Sequence, residues 1–112
     1  MLIAGSLLND LSKFKDRELY SLIAIRNGGE NTIRIIDEIL NKPKNANQIA
    51  KSLGLDYKTV RYHLAIICDH DYLIQEKFNN RYSYFPSEKL IRNLDEYNKI
   101  KRFLKKEKKA AI

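Results

Sequence analysis

The chain has 112 residues, with 21 Lys or Arg against 14 Asp or Glu, so its formal net charge at pH 7 is +7. Its single cysteine, Cys68, excludes an internal disulfide framework and a thiolate-rich metal site. No segment approaches the ~20 apolar residues of a membrane-spanning helix, and the first residues lack the basic leader of a signal peptide. We therefore expect a cytoplasmic protein without membrane contact.

The excess positive charge is concentrated in two windows. Residues 42–63 hold five Lys or Arg against one Asp, and residues 99–112 hold seven against one Glu. A basic tail is as typical of a solvated surface as of a phosphate-binding one, whereas a basic window inside a structural motif indicates a binding face. The window 42–63 is therefore the stronger sign of a nucleic-acid partner.

The first 26 residues are predicted to form an N-terminal helical segment. Leu19, Leu22 and Ile23 suit one helical face. Leu8, Leu11 and Phe14 either prolong that face or are separated from it by Asn9, Asp10 and Ser12. We expect this face to pack against the rest of the chain or to contribute to a dimer.

A second helix is predicted between Gly29 and Pro43, with Asn31 as its N-cap. Ile36 and Ile39 lie on its apolar face. Pro43 ends the helix because proline has no amide hydrogen to donate.

Two short helices follow, separated by a glycine turn. Asn45 and Gln48 stand three residues apart, the spacing at which each side chain bonds the other's free backbone amide at a helix start. Gly54 stands where this helix would end in a left-handed residue, and Asp56 is the predicted N-cap of the next helix.

A β-hairpin and a last helix complete the predicted elements. Residues 73–78 and 81–85 are rich in strand-forming side chains and flank Asn79-Asn80, a pair that tolerates positive φ. Ser87 then caps one long helix with an apolar stripe. The residues of this stripe are Leu90, Leu94, Tyr97 and Leu104.

The order of these elements predicts a mainly α fold with a small β-hairpin wing, the winged helix-turn-helix arrangement with extra terminal helices. Ala50 is small where two helices cross, Gly54 lies at the turn, and Val60 is apolar six residues later. The predicted boundaries are 1–26 for the N-terminal segment, 27–86 for the winged domain and 87–112 for the C-terminal helix with its basic tail.

The helix that starts at Asp56 is the predicted recognition helix for duplex DNA. Its outward residues are Tyr57, Lys58, Thr59, Arg61 and Tyr62. A solvated polar face explains the charge but not two exposed tyrosines, so DNA contact is the favoured interpretation. Arg61 suits a guanine edge, Lys58 a phosphate, and Thr59 a thymine methyl or a phosphate.

Lys77, Asn79, Asn80 and Arg81 are predicted to form a wing tip that lies across a phosphate backbone or reaches a minor groove, with a solvated turn as the alternative. The full predicted DNA-binding set is Asn45, Asn47, Asp56, Tyr57, Lys58, Thr59, Arg61, Tyr62, Lys77 and Arg81. The hairpin aromatics are predicted to pack in the hairpin and core, because two strands offer little area for base stacking. These aromatics are Phe78, Tyr82, Tyr84 and Phe85.

These residues together predict a sequence-specific transcription regulator that acts as a homodimer. A monomer has no use for an apolar stripe on so long a helix, whereas a two-fold dimer buries the stripe and matches a palindromic DNA site. The predicted dimer residues are Leu90, Leu94, Tyr97 and Leu104.

The sequence holds no recognisable active site: no Gly-rich phosphate loop before a helix, no paired carboxylates, and no nucleophile with a histidine base. We therefore expect neither enzyme activity nor a cofactor. His63 lies beside core positions and is predicted to be a hydrogen-bonded structural histidine. Cys68 and His70 lack the further ligands that a metal site needs.

Two other functions stay open at the level of sequence. A winged helix can bind protein within a transcription or chromosome complex without reading bases. The recognition face here is neither acidic nor apolar, which disfavours that role. The basic tail is also compatible with RNA binding.

The run from Asn45 to Leu64, with residues 26–32 and 82–85 beside it, resembles archaeal ArsR-like winged-helix transcription regulators. The resemblance covers roughly residues 19–86. It implies dimeric DNA binding, with the Asp56 helix in the major groove and dimer contacts from the terminal helices.

The chain departs from this family at two places. Metal-sensing members carry a Cys-x-Cys pair where this chain has Lys44, Asn45 and Ala46, so metal sensing is not implied, and no small-molecule effector is indicated. Asp71 stands where the family has a glycine after the recognition helix. If Asp71 takes a positive φ there, the strain costs about 1 kcal/mol.

Overall fold

Over residues 13–110, which the computed structural model describes, the chain forms six α-helices, one π-helical turn and one β-hairpin; side chains are described through residue 106. The elements are α1 (Arg17–Tyr20), the π-helical turn (Ser21–Ile25), α2 (Gly29–Asn41), α3 (Ala46–Leu53), α4 (Tyr57–Asp69), β1 (Leu73–Phe78), β2 (Arg81–Pro86), α5 (Glu88–Arg92) and α6 (Leu94–Ala110). Leu8 and Leu11 lie outside the described residues.

The helix signals around α3 and α4 act as predicted. The Gln48 amide donates to Asn45 Oδ1 at 2.8 Å, and the Asn45 amide donates to Gln48 Oε1 at 2.9 Å. Gly54 ends α3 with φ 66°, in the left-handed region. Asp56 caps α4 by accepting from the first-turn amides.

The predicted start of α2 is wrong, because the helix begins two residues before Asn31. Gly28 precedes it with φ 86°, and Gly29 is its first residue. A Cβ built on Gly29 would lie 1.7 Å from the carbonyl oxygen of Ile23. This close approach of two backbone segments requires glycine and sets the helix start. Asn31 instead lies in the first turn, where its Oδ1 accepts from Arg34 at 3.2 Å.

The predicted single C-terminal helix is also wrong, because Asn93 divides it into α5 and α6. The Asn93 side-chain amide donates to the Lys89 carbonyl at 2.8 Å, which gives the backbone a local partner outside the helical ladder. Ser87 does cap α5 as predicted, with its Oγ accepting from the Leu90 amide at 3.1 Å.

The two strands pair in antiparallel register from Leu73 opposite Pro86 to Phe78 opposite Arg81. Asn79 and Asn80 form the predicted turn, with φ of 50° and 62°. The other edge of β2 forms a bridge to the segment before α3, because the Tyr84 amide donates to the Lys44 carbonyl at 2.9 Å.

One buried core joins the terminal helices to the winged domain. Leu19 from α1, Ile36 from α2, Leu64 from α4 and Tyr97 from α6 are all fully buried in it. The architecture is a winged helix-turn-helix with added N- and C-terminal helices, as predicted. Among the described helices, none is both long and apolar enough to span a membrane.

Lys89 connects three elements at the surface of this core. Its ammonium group donates to Glu18 Oε1 at 2.6 Å and to the His70 carbonyl at 3.0 Å. Because His70 follows the last residue of α4, Lys89 ties α5 both to α1 and to the end of that helix. Asp71 comes next and has φ 65°, so the positive φ that the sequence left as a condition is present.

Candidate nucleic-acid interface

The helix pair α3 and α4 is held by the small residue, the glycine and the apolar residue that the sequence singled out. Ala50 is 8% exposed and Val60 is fully buried. The Leu55 amide donates to the Ala50 carbonyl at 3.0 Å, which closes the turn around Gly54. These contacts fix the angle at which α4 leaves α3, and so fix the surface that α4 presents.

The outer face of α4 carries the side chains predicted to point outward. Tyr57 is 43% exposed and Tyr62 is 61% exposed, and both Lys58 and Arg61 are exposed. Thr59 is half-buried, so it offers less surface than the other four. A macromolecule that meets α4 therefore contacts two phenol rings and two cations.

Arg61 is paired with Tyr57 one helical turn earlier. Its Nη1 donates to the Tyr57 hydroxyl at 3.0 Å, and its guanidinium carbon lies 5.8 Å from the centre of the phenol ring. This hydrogen bond is the chief cause of a raised Arg61 pKa. Arg61 is thus a permanent cation with a preferred direction.

Asn45 and Asp56, both in the predicted DNA-binding set, use their side-chain oxygens at helix starts. The Asp56 carboxylate accepts from the Lys58 amide at 3.0 Å and from the Thr59 amide at 3.4 Å. Asn47 is exposed in the first turn of α3. Asn45 and Asp56 therefore stabilise the starts of α3 and α4. DNA contact by either residue stays a prediction.

A surface cleft of about 490 Å³ lies between α3, α4 and the wing; it is called the basic cleft below. Among the described residues that line it, the cations are Lys51, Arg61 and Arg81, and there is no carboxylate. Like charges in one concave surface raise the local potential and attract a polyanion. The full lining is Asn45, Ala46, Asn47, Gln48, Lys51, Tyr57, Arg61, Asn80, Arg81, Tyr82 and Tyr84.

Lys51 and Gln48 line the basic cleft but were absent from the predicted set. They stand three residues apart on α3, so helical spacing places them on one face. That spacing, combined with the predicted core positions Ile49 and Ala50, was a usable signal for both residues.

The prediction that the hairpin aromatics pack in the hairpin and core is confirmed for Tyr84 and is wrong for Phe78 and Tyr82. Phe78 is 76% exposed and Tyr82 is 49% exposed, whereas Tyr84 is 5% exposed. Tyr84 is thus buried, whereas the side chains nearest the turn are exposed. Lys77 and Arg81 are exposed at the same tip.

The inner side of α4 holds a buried polar junction formed by Arg26, Thr32 and His63. Arg26 Nη2 donates to Thr32 Oγ1 at 2.7 Å and lies 3.3 Å from His63 Nδ1. His63 is 5% exposed, and burial together with the Arg26 charge lowers its pKa. This confirms His63 as a hydrogen-bonded structural residue.

The apolar stripe predicted to form a dimer interface is used largely within the chain. Leu90 and Tyr97 are fully buried, and the Tyr97 hydroxyl donates to Asp37 Oδ1 at 2.8 Å. Leu94 and Leu104 are half-buried against the same core. Because intrachain packing explains the stripe, Leu90 and Tyr97 have no surface to offer a second chain in this conformation.

No known family model and no curated protein matches the chain. Solved structures do match. The transcriptional regulator BldR from Sulfolobus solfataricus superimposes with a TM-score of 0.64 at 12% identity, over 96% of this chain and 82% of that chain.

Two further structures are similar in the same way. The ST1889 protein from the thermoacidophilic archaeon Sulfolobus tokodaii has a TM-score of 0.51 at 16% identity, covering 92% of this chain and 99% of that chain. A mutant of MepR from S. aureus has a TM-score of 0.57 at 14% identity, covering 96% of this chain and 79% of that chain. At these identities the likeness shows the shared fold, and it does not single out the ArsR-like family.

Proposed function

We propose that the chain is a transcription regulator that binds duplex DNA in a sequence-specific manner, with α4 in the major groove and the wing on the backbone. The basic cleft is the observation that carries this proposal, because Lys51, Arg61 and Arg81 converge there and none of the lining residues that the structure describes is a carboxylate. The major groove of B-DNA admits an α-helix. Similarity in fold to BldR, a transcriptional regulator, supports the same role.

The proposed contacts fall into two kinds. Arg61, held by Tyr57, reads a guanine edge with two parallel hydrogen bonds. Lys51, Lys58 and Arg81 contact phosphates, which fixes the position of the protein on the duplex but carries no sequence information.

We also propose a homodimer of the ArsR-like kind that uses the terminal helices. Ile91 on α5 is 53% exposed, and Leu94 and Leu104 on α6 are half-buried. These three residues offer a second copy an apolar surface, with Leu90 and Tyr97 supporting it from inside. Size-exclusion chromatography with light scattering tests this, and a monomeric mass contradicts it.

Selection of bound fragments from a random duplex library, followed by titration in rising salt, tests DNA binding. About six phosphate contacts imply that log K falls with log salt with a slope near −5. A flat salt response contradicts the proposal. Stronger competition by a structured RNA than by duplex DNA would assign the cleft to RNA instead.

A matched pair of arginine variants tests sequence reading separately. Arg61→Ala should relax the preference at one base position by about 1–3 kcal/mol. Arg92→Ala removes the same charge from an exposed site on α5, outside the basic cleft, and should leave the preference unchanged. Equal effects of the two variants would mean that Arg61 contributes only its positive charge to binding and does not read a base.

A further inference from the structure

The tip of the wing carries an aromatic ring and a cation on each face. Phe78 is directly opposite Arg81, and Lys77 is directly opposite Tyr82. Opposed residues of an antiparallel pair project to the same face, and successive residues alternate. Lys77 Nζ lies 5.8 Å from the centre of the Tyr82 ring. The tip therefore combines apolar surface with positive charge whichever face is approached.

Phe78 is the more exposed of the two rings, at 76%. A single exposed apolar residue needs no explanation by itself, so its position matters more than its exposure. Phe78 lines a cleft of about 540 Å³ together with Asn79, Arg81 and residues at and just before the start of α3. Arg81 also lines the basic cleft with Arg61. One ligand can therefore meet the recognition helix and Phe78 together.

The tip is held in one conformation by its turn. Asn79 and Asn80 both have positive φ, as a two-residue type I′ turn requires, and this turn matches the natural twist of the strands. Phe78 and Arg81 form the pair that closes the turn. Their backbone is thus ordered before any ligand arrives, which lowers the entropy cost of using them in binding.

Charge identifies the kind of ligand. Residues 77–83 contain Lys77 and Arg81 and no acidic residue. A cation beside an exposed ring disfavours an apolar protein surface, which would have to desolvate the charge. The minor groove of DNA accepts both groups, because its negative potential attracts arginine and its base steps admit an apolar side chain.

We infer that Phe78 is an apolar wedge that enters the minor groove of the bound duplex and bends the DNA, while Arg81 contacts a phosphate at the edge of that groove. This inference rests on the proposed function, since a helix in the major groove brings the wing to an adjacent minor groove. Partial unstacking by such a wedge kinks a duplex by roughly 20° or more. Flexible pyrimidine–purine steps should therefore be favoured under the wing, at a position that α4 does not touch.

The experiment measures the bend and the affinity on a selected duplex labelled at both ends for energy transfer. The wild-type chain should shorten the end-to-end distance. Phe78→Ala should abolish most of the bend and weaken binding about tenfold, the scale of one lost base–aromatic contact. Phe78→Leu should retain most of both, because leucine also acts as a wedge.

Ile74→Ala is the matched control. Ile74 is 43% exposed on the same strand and the same face, but it lies four residues from the tip and outside both clefts. It should leave the bend and the affinity unchanged. Phe78 is exposed, so its variants should keep the wild-type unfolding midpoint, and a circular dichroism melt checks that they do.

The outcomes separate the wedge from the proposed function. If Phe78→Ala binds with wild-type affinity and bend while binding stays salt-dependent, the wedge is wrong and the DNA-binding role stands. If the wild-type chain does not bind duplex DNA, both are wrong. If Phe78→Ala instead changes the oligomeric mass, Phe78 contacts a second copy and the wedge is again wrong.

Discussion

The buried junction and the basic cleft place arginines on opposite sides of α4, and they treat these arginines differently. At the junction, Arg26 donates to Thr32 and faces His63, and both of these partners are buried. In the cleft, Arg61 and Arg81 are exposed, and within residues 13–106 no carboxylate lines the cleft beside them. The difference shows that surroundings, rather than residue type, decide whether a cation supports the fold or is available to a ligand.

The largest expected effect is on stability, and it compares Gly29 at the start of α2 with Gly54 in the turn before α4. Gly29→Ala places a Cβ 1.7 Å from the Ile23 carbonyl oxygen, so backbone must move, and we expect a loss of about 3 kcal/mol in unfolding free energy. At Gly54 a Cβ meets nothing within 4 Å, and only the positive φ costs about 1 kcal/mol. Urea denaturation measures both. Equal losses would mean that the α2 start is no more tightly packed than the exposed turn.

The next largest expected effect on stability comes from the N-cap of α4. Asp56 caps the helix whose two sides carry the buried junction and the basic cleft. Asp56→Ala removes the acceptor of two first-turn amides and should cost about 1 kcal/mol of stability. Asp56→Asn keeps an acceptor and should cost less. An unchanged unfolding midpoint for Asp56→Ala would contradict the capping role.

A smaller effect, on DNA binding, is expected from Tyr57, the hydrogen-bond partner of Arg61 in the basic cleft. Tyr57→Phe keeps the ring but removes the hydroxyl that accepts from Arg61. Discrimination at the base that we propose Arg61 reads should fall roughly two- to tenfold, the net value of one hydrogen bond. The salt slope of binding should not change, because no charge is lost. A changed slope with intact discrimination would show that Tyr57 does not direct Arg61.

The smallest expected effect is a pH dependence of stability that comes from His63 in the buried junction. Because the pKa of His63 is lowered from its usual 6.5, the unfolded chain binds a proton more readily than the folded one in this range. Stability should therefore fall as pH drops below about 6.5. The pKa values of Glu18 and Glu38 are lowered from 4.5, so a scan that stops near pH 5 keeps these two carboxyls ionised. His63→Gln should remove this slope in urea midpoints, and a persistent slope would contradict the assignment.

The sequence predicted the features that depend on neighbouring residues. Asn45 and Gln48 satisfy each other's backbone within four residues, and Gly54 and Asp56 act through their own backbone geometry. Such signals need no knowledge of the remaining fold. They were enough to place α3, the turn and α4, and with them most of the candidate site.

The features that escaped prediction depend on distant parts of the chain. The start of α2 is set by contact with Ile23, and the burial of Tyr97 is set by packing of α6 against α2. Phe78 looks like a core residue by type, and only the reach of the hairpin beyond the helices exposes it. Spacing along one segment carries no information about any of these contacts.

The contacts of Lys89 affect how parts of the protein unfold locally. One ammonium group connects α5 to Glu18 on α1 and to the His70 carbonyl after α4, so none of these three segments can detach without breaking a contact to Lys89. Backbone amides at the end of α4 and in α5 should therefore exchange with solvent deuterium as one cooperative unit. The exposed wing tip lacks such a connection and should exchange earlier.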